Sequence, residues 1–213
     1  MKKILMLDLC HTLYLSNTTF DFLNFYLTGY KKRIFIILRA NFLLRKVNAL
    51  SVRLFRWDIV KSMSVSLLKG YKRSELESSA RDFIETIKIN SDLISFIESR
   101  KSNYHEIIIV SASLDFIVKA VAQKHKYDGY MCSELKYTDG VCTGKYEKDI
   151  LYTKIDCISE GFDLPMVTFI SDNYTDLVIS EFSAEFFAVY HCEDNGAKIF
   201  WNNNGVFDAI TYK

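Results

Sequence analysis

The chain opens on an apolar run, Ile4-Leu5-Met6-Leu7, that stops at Asp8. Such a run, led in by Lys2 and Lys3 and closed by a carboxylate, predicts a short strand buried on both faces. A second run, Ile107-Ile108-Ile109-Val110, stops at Ser111-Ala112-Ser113, and a third, Val167-Thr168-Phe169-Ile170, stops at Ser171-Asp172. Phe186 to Tyr190 reads as a further core strand. Elsewhere the period lengthens to that of helices. Residues 114–122 predict a helix directly after the second strand, and residues 90–101 one that leads into Glu106-Val110. Thr18-Thr19 predicts a cap for a helix bearing Phe20, Leu23, Tyr26 and Leu27 and ending near Gly29. Apolar positions then recur at three and four residues to about residue 68, among them Ile34, Ile37, Leu38, Leu44, Val47, Leu54 and Phe55. Gly70 interrupts the pattern, and Ser74 with Glu77 predicts a capping box. Near the end, Asn202-Asn203-Asn204-Gly205 either closes a short helix or turns a hairpin.

Strands alternating with helices predict an α/β fold on a parallel sheet. Residues 16–86, helical throughout, read as an insertion into a core formed by residues 1–15 and 87–213. Ligands of open parallel sheets bind beyond the carboxyl ends of the strands, which is where Asp8, Ser111 and Asp172 fall.

At 213 residues and 49% hydrophobic content the chain can bury a full core. A single proline and eight glycines leave no low-complexity linker. Five cysteines without a Cys-x-x-Cys pair suit a reducing cytoplasm better than a disulfide framework or a zinc site. The first apolar run breaks at Asp8, so it reads as a strand and not a signal peptide, and no apolar stretch is long enough to span a bilayer. Charge changes the picture locally. Between Lys31 and Arg73 stand twelve Lys or Arg against one acid, Asp58, a balance of +11 in a chain of net +1, so the remainder carries −10. This asymmetry fits an ordinary solvated helical surface, steering of a negatively charged substrate, or rest on an anionic membrane. Arg33-Ile34-Phe35-Ile36-Ile37-Leu38-Arg39 and Phe42-Leu43-Leu44-Arg45, apolar and basic together, suit the last. No nucleic-acid recognition motif occurs, and no such partner is expected.

The strand ends carry the candidate chemistry. Phosphoryl transfer needs an in-line nucleophile and positive charge around the transferring oxygens. Asp8 is a candidate nucleophile. Asp8 and Asp172 would repel each other, so a hard divalent cation with oxygen ligands, Mg²⁺, is expected between them. Asp176, a helical turn further on, would hold metal-bound water or position a lysine. The blander readings are a helix-capping Ser111, and Asp172 and Asp176 as an N-cap and a first-turn acid.

Taken in order, these segments resemble the haloacid dehalogenase (HAD) superfamily, in particular its phosphoserine-phosphatase-like branch. Asp8, Cys10 and Thr12 match its Asp-x-Asp-x-Thr motif with one substitution, Ser111 its strand-end Ser or Thr, and Asp172 with Asp176 its acidic pair. Asp139-Gly140-Val141-Cys142-Thr143-Gly144 is similar to its Asp-Gly-x-x-Thr-Gly, after which a motif lysine heads a helix. Lys154 suits that place, with Lys145 and Lys148 as alternatives. The resemblance implies a Rossmann-like core with a small helical cap and Mg²⁺-dependent hydrolysis of a phosphate monoester through an aspartyl-phosphate at Asp8. It implies catalytic roles for Asp8, Cys10, Ser111 and Lys154, and phosphate contacts from Thr12, Ser111, Ala112 and Lys154. It places the metal on Asp8, the Cys10 carbonyl and Asp172, backed by Asp176 and Asn173. The substrate would be a small phosphorylated metabolite or a lipid-linked phosphate. Retention of both acids favours phosphate over haloacid, whose chemistry needs no metal.

Cys10 departs from the family pattern. It replaces the aspartate that protonates the leaving group and activates water, and losing such a group typically costs about 10²–10⁴-fold in rate. A thiol with a pKa of about 8.5 is mostly protonated at neutral pH and takes no proton from water. His11 titrates in the right range, but on an extended segment it would point away. Two alternatives follow: a pseudophosphatase that binds a phosphorylated ligand, and a phosphotransferase.

Overall fold

The computed structural model describes residues 3–213, so Met1 and Lys2, which the sequence places at the start of the first strand and domain, lie outside the described residues. The chain runs β1 (Lys3–Leu7), α1 (Thr18–Tyr26), α2 (Gly29–Ala40), α3 (Phe42–Phe55), α4 (Ile59–Ser66), α5 (Arg73–Ile84) and α6 (Ser91–Arg100). It continues with β2 (Tyr104–Leu114), α7 (Asp115–His125), β3 (Gly129–Thr138), β4 (Val141–Lys148), α8 (Lys154–Gly161) and β5 (Val167–Ser171). Last come α9 (Leu177–Ser180), β6 (Glu185–His191), α10 (Asn195–Asn203) and β7 (Ala209–Tyr212). The strands form one sheet in the order β4-β3-β2-β1-β5-β6-β7. Every neighbour pair is parallel except the β3–β4 hairpin.

Apolar side chains alternate across the sheet with the two-residue period of a strand. Leu5, Leu7, Ile107 and Ile109 enter one core with Phe22, Phe83 and Phe116, while Met6, Ile108 and Val110 enter another with Phe169 and Trp201. Helices cover both faces, which explains why β1, β2 and β5 are apolar at nearly every position. Each fully buried Leu or Phe contributes roughly 1.5–3 kcal/mol, so these short strands hold the middle of the sheet firmly. β1 lies between β2 and β5, with Leu7 opposite both Ile109 and Ile170. The next residue is Asp8, and its amide donates to the Ile170 carbonyl at 2.9 Å.

Element ends differ from the sequence reading where tertiary pairing competes with local signals. β2 continues through Ser111 to Leu114, with its register against β3 shifting between those two residues. α7 is therefore capped at Leu114 without a side-chain hydrogen bond, and Ser111 is not a capping serine. α1 takes its cap from Asn17, whose side chain accepts from the Phe20 amide, and ends at Tyr26. The Ser74–Glu77 box does not form. Residues 70–73 are held against the hairpin by Gly70 N–H to Cys142 O, Cys142 N–H to Tyr71 O and Arg73 N–H to Gly140 O, which fixes the helix start at Arg73. Glu75 accepts from the Lys72 amide at 3.3 Å instead. Asn202–Gly205 closes α10, and β7 returns parallel to β6.

Helices α1 to α5 occupy the stretch between β1 and β2 that the sequence marks as inserted. α1 and α5 belong to the first core: the Phe22 ring lies 5.5 Å from Phe83 and 4.9 Å from Phe116, and α5 packs against α7. α4 rests on β4. There Gly144, at φ +75°, is needed for its missing Cβ, which would stand 2.8 Å from the Ser66 carbonyl oxygen. α3 packs on α4 and is otherwise largely exposed, with Ser51 as its sole buried residue.

Candidate active site

Beyond the ends of β1, β2 and β5 lies a cavity of about 680 Å³ lined by Asp8, Cys10, His11, Ser111, Ala112, Lys154, Asp172 and Asn173, among others. Sheet order is what gathers them, because the strand ending at Asp8 runs between those that lead to Ser111 and Asp172. The Lys154 ammonium, at the first turn of α8, donates to Asp8 Oδ2 at 2.6 Å and to Asp176 Oδ2 at 2.7 Å. Lys154, Asp8 and Asp176 are all nearly inaccessible to solvent. Asp176 also accepts from Ser171 Oγ at 2.7 Å. Thr12, wholly buried, donates its hydroxyl to Asp172 Oδ1 at 2.8 Å and accepts from the Asp172 amide at 2.9 Å. One threonine thus ties the turn after β1 to the turn after β5.

The charges are unbalanced, with three close carboxylates and a single lysine. Burial, then the charge of Asp8, pushes Asp172 up to about 7. Burial also raises Asp176, against the opposing pull of Lys154. For Lys154 itself burial acts downward, but Asp176 and Asp8 outweigh it and hold the ammonium above its usual range. Cys10 is pushed up to about 11, first by burial and then by Asp8. Its sulfur lies 3.0 Å from Thr18 Oγ1, which in turn is 2.7 Å from Ser113 Oγ. Cys10 is therefore a neutral thiol in a hydroxyl network near neutral pH.

Each residue singled out from the sequence can be located. Asp8, Cys10, Ser111, Ala112, Lys154, Asp172 and Asn173 line the cavity, and Thr12 and Asp176 stand directly behind it. Asn173 accepts from the Thr175 amide and hydroxyl and caps the turn at 174–176, so the expected cap at Asp172 falls one residue later. Lys145 and Lys148 are exposed on the hairpin. His11 is not extended. It sits at φ +53° in a tight turn, where Leu13 and Tyr14 both donate to the Leu9 carbonyl, and it lines the cavity. Sequence reasoning missed three groups. Ser171 bridges Asp176 and the Asn173 amide, and a hydroxyl immediately before the acidic pair was its one signal. Lys61, buried and 2.9 Å from Asp149, was indistinguishable among twelve basic residues, and nothing in the pattern marked His191 as a lining residue.

The profile of the haloacid dehalogenase-like hydrolases matches residues 5–180, most of the chain. The chain belongs to that family. This hydrolase shares its fold with a protein of unknown function from Bordetella pertussis Tohama I, at a TM-score of 0.72 and 17% identity over 99% of both chains. It resembles the HAD family hydrolase t0658 of Salmonella enterica serovar Typhi at 0.68 and 15% identity, covering 98% of this chain and 67% of that one. A phosphoserine phosphatase in apo form superimposes at 0.60 with 18% identity over 99% of this chain and 94% of its own. No curated protein sequence matches the chain.

Proposed function

We propose that this hydrolase cleaves a phosphate monoester, with Asp8 as the nucleophile and an aspartyl-phosphate as the intermediate. The observation that carries the reading is the buried Lys154 held between Asp8 and Asp176 at the cavity floor, beside Ser111 and the Thr12–Asp172 pair. In the first step an Asp8 oxygen attacks phosphorus, the ester P–O bond breaks, and the leaving oxygen takes up a proton. Lys154 and Ser111 face the incoming phosphoryl oxygens, and Lys154 orients Asp8. In the second step water attacks phosphorus, the bond between Asp8 and phosphorus breaks, and inorganic phosphate leaves with Asp8 returned as a carboxylate.

A magnesium ion fits this site. Among the described residues there is no cluster of three or more His, Cys, Asp and Glu side chains suited to a metal, but magnesium asks for only one or two carboxylates with carbonyl and water oxygens. Asp8, Asp172 and the Cys10 carbonyl supply such a set, and the surplus of buried carboxylates over Lys154 supplies the need for positive charge. Bound there, the ion would neutralise the phosphate and its developing charge.

Cys10 decides the kinetics. Raised to about 11, its thiol keeps its proton at neutral pH, and as long as the leaving oxygen does not claim that proton the thiol cannot take one from water. An aryl phosphate departs without protonation, so the expected result is a Mg²⁺-dependent burst near one equivalent followed by slow turnover. Asp8→Asn abolishes the burst, and Cys10→Asp raises turnover by up to about 10²–10⁴-fold. No burst, with no gain in Cys10→Asp, would instead make the protein a binder of phosphorylated ligands. Fast steady turnover lost in His11→Ala would move proton transfer to His11, whose turned backbone brings it to the cavity wall.

The inserted helices supply the cavity's other wall. Asn17, Thr19 and Phe20 around the start of α1, and Asp58 and Lys61 at the start of α4, stand across from Asp8 and Ser111. In the proposed function they form the cap that chooses the ester's organic group.

A further inference from the structure

Helices α2 and α3 each turn an apolar stripe to solvent. On α2 it consists of Tyr30, Ile34 and Ile37, and on α3 of Leu43, Val47, Leu50 and Leu54, spaced by fours and threes. At about 100° per residue each set forms one stripe along its helix. These side chains are between 40% (Ile34) and 72% (Leu43) exposed, and Phe42, Phe55 and Trp57 extend the patch. Single exposed apolar residues are ordinary on protein surfaces, whereas a contiguous patch marks a surface that meets something.

The chemistry of the rim identifies the partner. Arg33, Arg39, Arg45, Lys46, Arg53 and Arg56 are exposed on or beside the same two helices, and no acid occurs from Tyr30 to Trp57. A two-fold contact of this face with itself would set arginines against arginines. An apolar stripe framed by cations is what an interfacial helix presents to a bilayer of negatively charged lipid. Among the described residues no helix is long and apolar enough to cross a membrane, so the two helices would lie in the surface plane. α2 also adjoins the active site. Phe20, on the cavity wall, packs 6.4 Å from the Phe35 ring of α2 and carries the Arg39 guanidinium 4.7 Å above it.

We propose that helices α2 and α3 lay their exposed apolar stripes on an anionic phospholipid bilayer and that the ester reaching Asp8 is the phosphate of a lipid in that bilayer. Docking stands on the exposed face alone, and the substrate assignment rests on the phosphatase reading above. Flotation with vesicles of phosphatidylcholine plus phosphatidylglycerol tests the docking. Binding is expected at low salt, to fall as salt rises, and to exceed that to pure phosphatidylcholine. Leu43→Glu combined with Leu50→Glu, both outside the cavity, should lower binding at least about tenfold with melting temperature and aryl phosphate hydrolysis unchanged. No flotation, equal flotation of the double variant, or a dimer in solution that the double variant converts to monomer would each overturn it. For the substrate, phosphate release from vesicles containing phosphatidic acid should exceed that of Asp8→Asn. Equal release, with aryl phosphate still hydrolysed, overturns the lipid substrate alone. Failure on both phosphates removes the phosphatase reading and leaves docking to be judged by flotation.

Discussion

Replacing Lys154 with methionine removes the one cation among three neighbouring carboxylates while nearly keeping the side-chain volume. In the natural protein its ammonium bonds Asp8 at 2.6 Å and Asp176 at 2.7 Å, with side-chain exposures of 3–5% at all three residues. Breaking a buried pair from one side leaves an uncompensated charge and costs about 3–5 kcal/mol. For a domain of this size that lowers the melting temperature by about 6–20 °C. The deficit should depend on pH, and the direction follows from the carboxylates. Asp172 and Asp176 are already raised by burial, and Lys154 pulls both down, so its loss raises them further. A carboxyl whose pKa is higher folded than unfolded stabilises the fold while protonated and loses that contribution as pH rises. The contribution of Lys154, an amine raised in the folded state, is intact below its ordinary pKa, so it stays constant over this range. The variant's deficit therefore grows from about pH 5 to pH 8. Differential scanning fluorimetry without metal measures it, with Lys148→Met on the exposed hairpin as a control that shifts by less than about 0.5 kcal/mol. A Lys154→Met protein that melts with the control, or a deficit that shrinks as pH rises, would refute the charge argument.

Added Mg²⁺ should raise the melting temperature of the natural protein, by the equivalent of about 2.7 kcal/mol at a hundredfold excess over Kd. The gain should be larger at pH 8 than at pH 5, because Asp172, pushed up to about 7, must shed its proton before it can act as a ligand. Equal shifts at both pH values would count against Asp172 as a ligand. Thr12→Val leaves Asp172 Oδ1 and its amide without their partner, so a loss of about 1–3 kcal/mol is expected by chemical denaturation, and Mg²⁺ affinity should fall about 10–100-fold by titration. Gly144→Ala puts a Cβ 2.8 Å from the Ser66 carbonyl at φ +75°. It should cost more than the roughly 1 kcal/mol of an ordinary glycine substitution, whereas Gly161→Ala, with open space around it, should not.

Local pattern determined much of this protein. Runs such as Ile4–Leu7, short and closed by a polar residue, read as strands covered on both faces, whereas the equally apolar Ile34–Leu38 belongs to helix α2 because it lies inside a longer spacing of threes and fours. The polar residue that ends each strand run marks the carboxyl edge of the sheet. That was enough to name Asp8, Ser111 and Asp172 together, because strand ends in a parallel sheet converge whatever the intervening sequence. Tertiary structure decided what depends on partners distant in sequence. The helical pattern after residue 154 favoured Lys154 over Lys145 and Lys148, but only the packing of α8 brings its ammonium to Asp8 and Asp176 while the other two stay exposed on the hairpin. The helix after Gly70 begins where the β3–β4 hairpin pins the backbone, so the better-looking local cap at Ser74 yields. His11 reaches the cavity because the chain turns back onto the Leu9 carbonyl, at a positive φ that histidine does not advertise. The basic, apolar character of residues 31–73 was written in the sequence. Whether its Leu and Ile stripes faced inward or outward was a matter of available partners, and α3 meets α4 on the side of Asn48 and Ser51 while its Leu43–Leu54 stripe stays exposed.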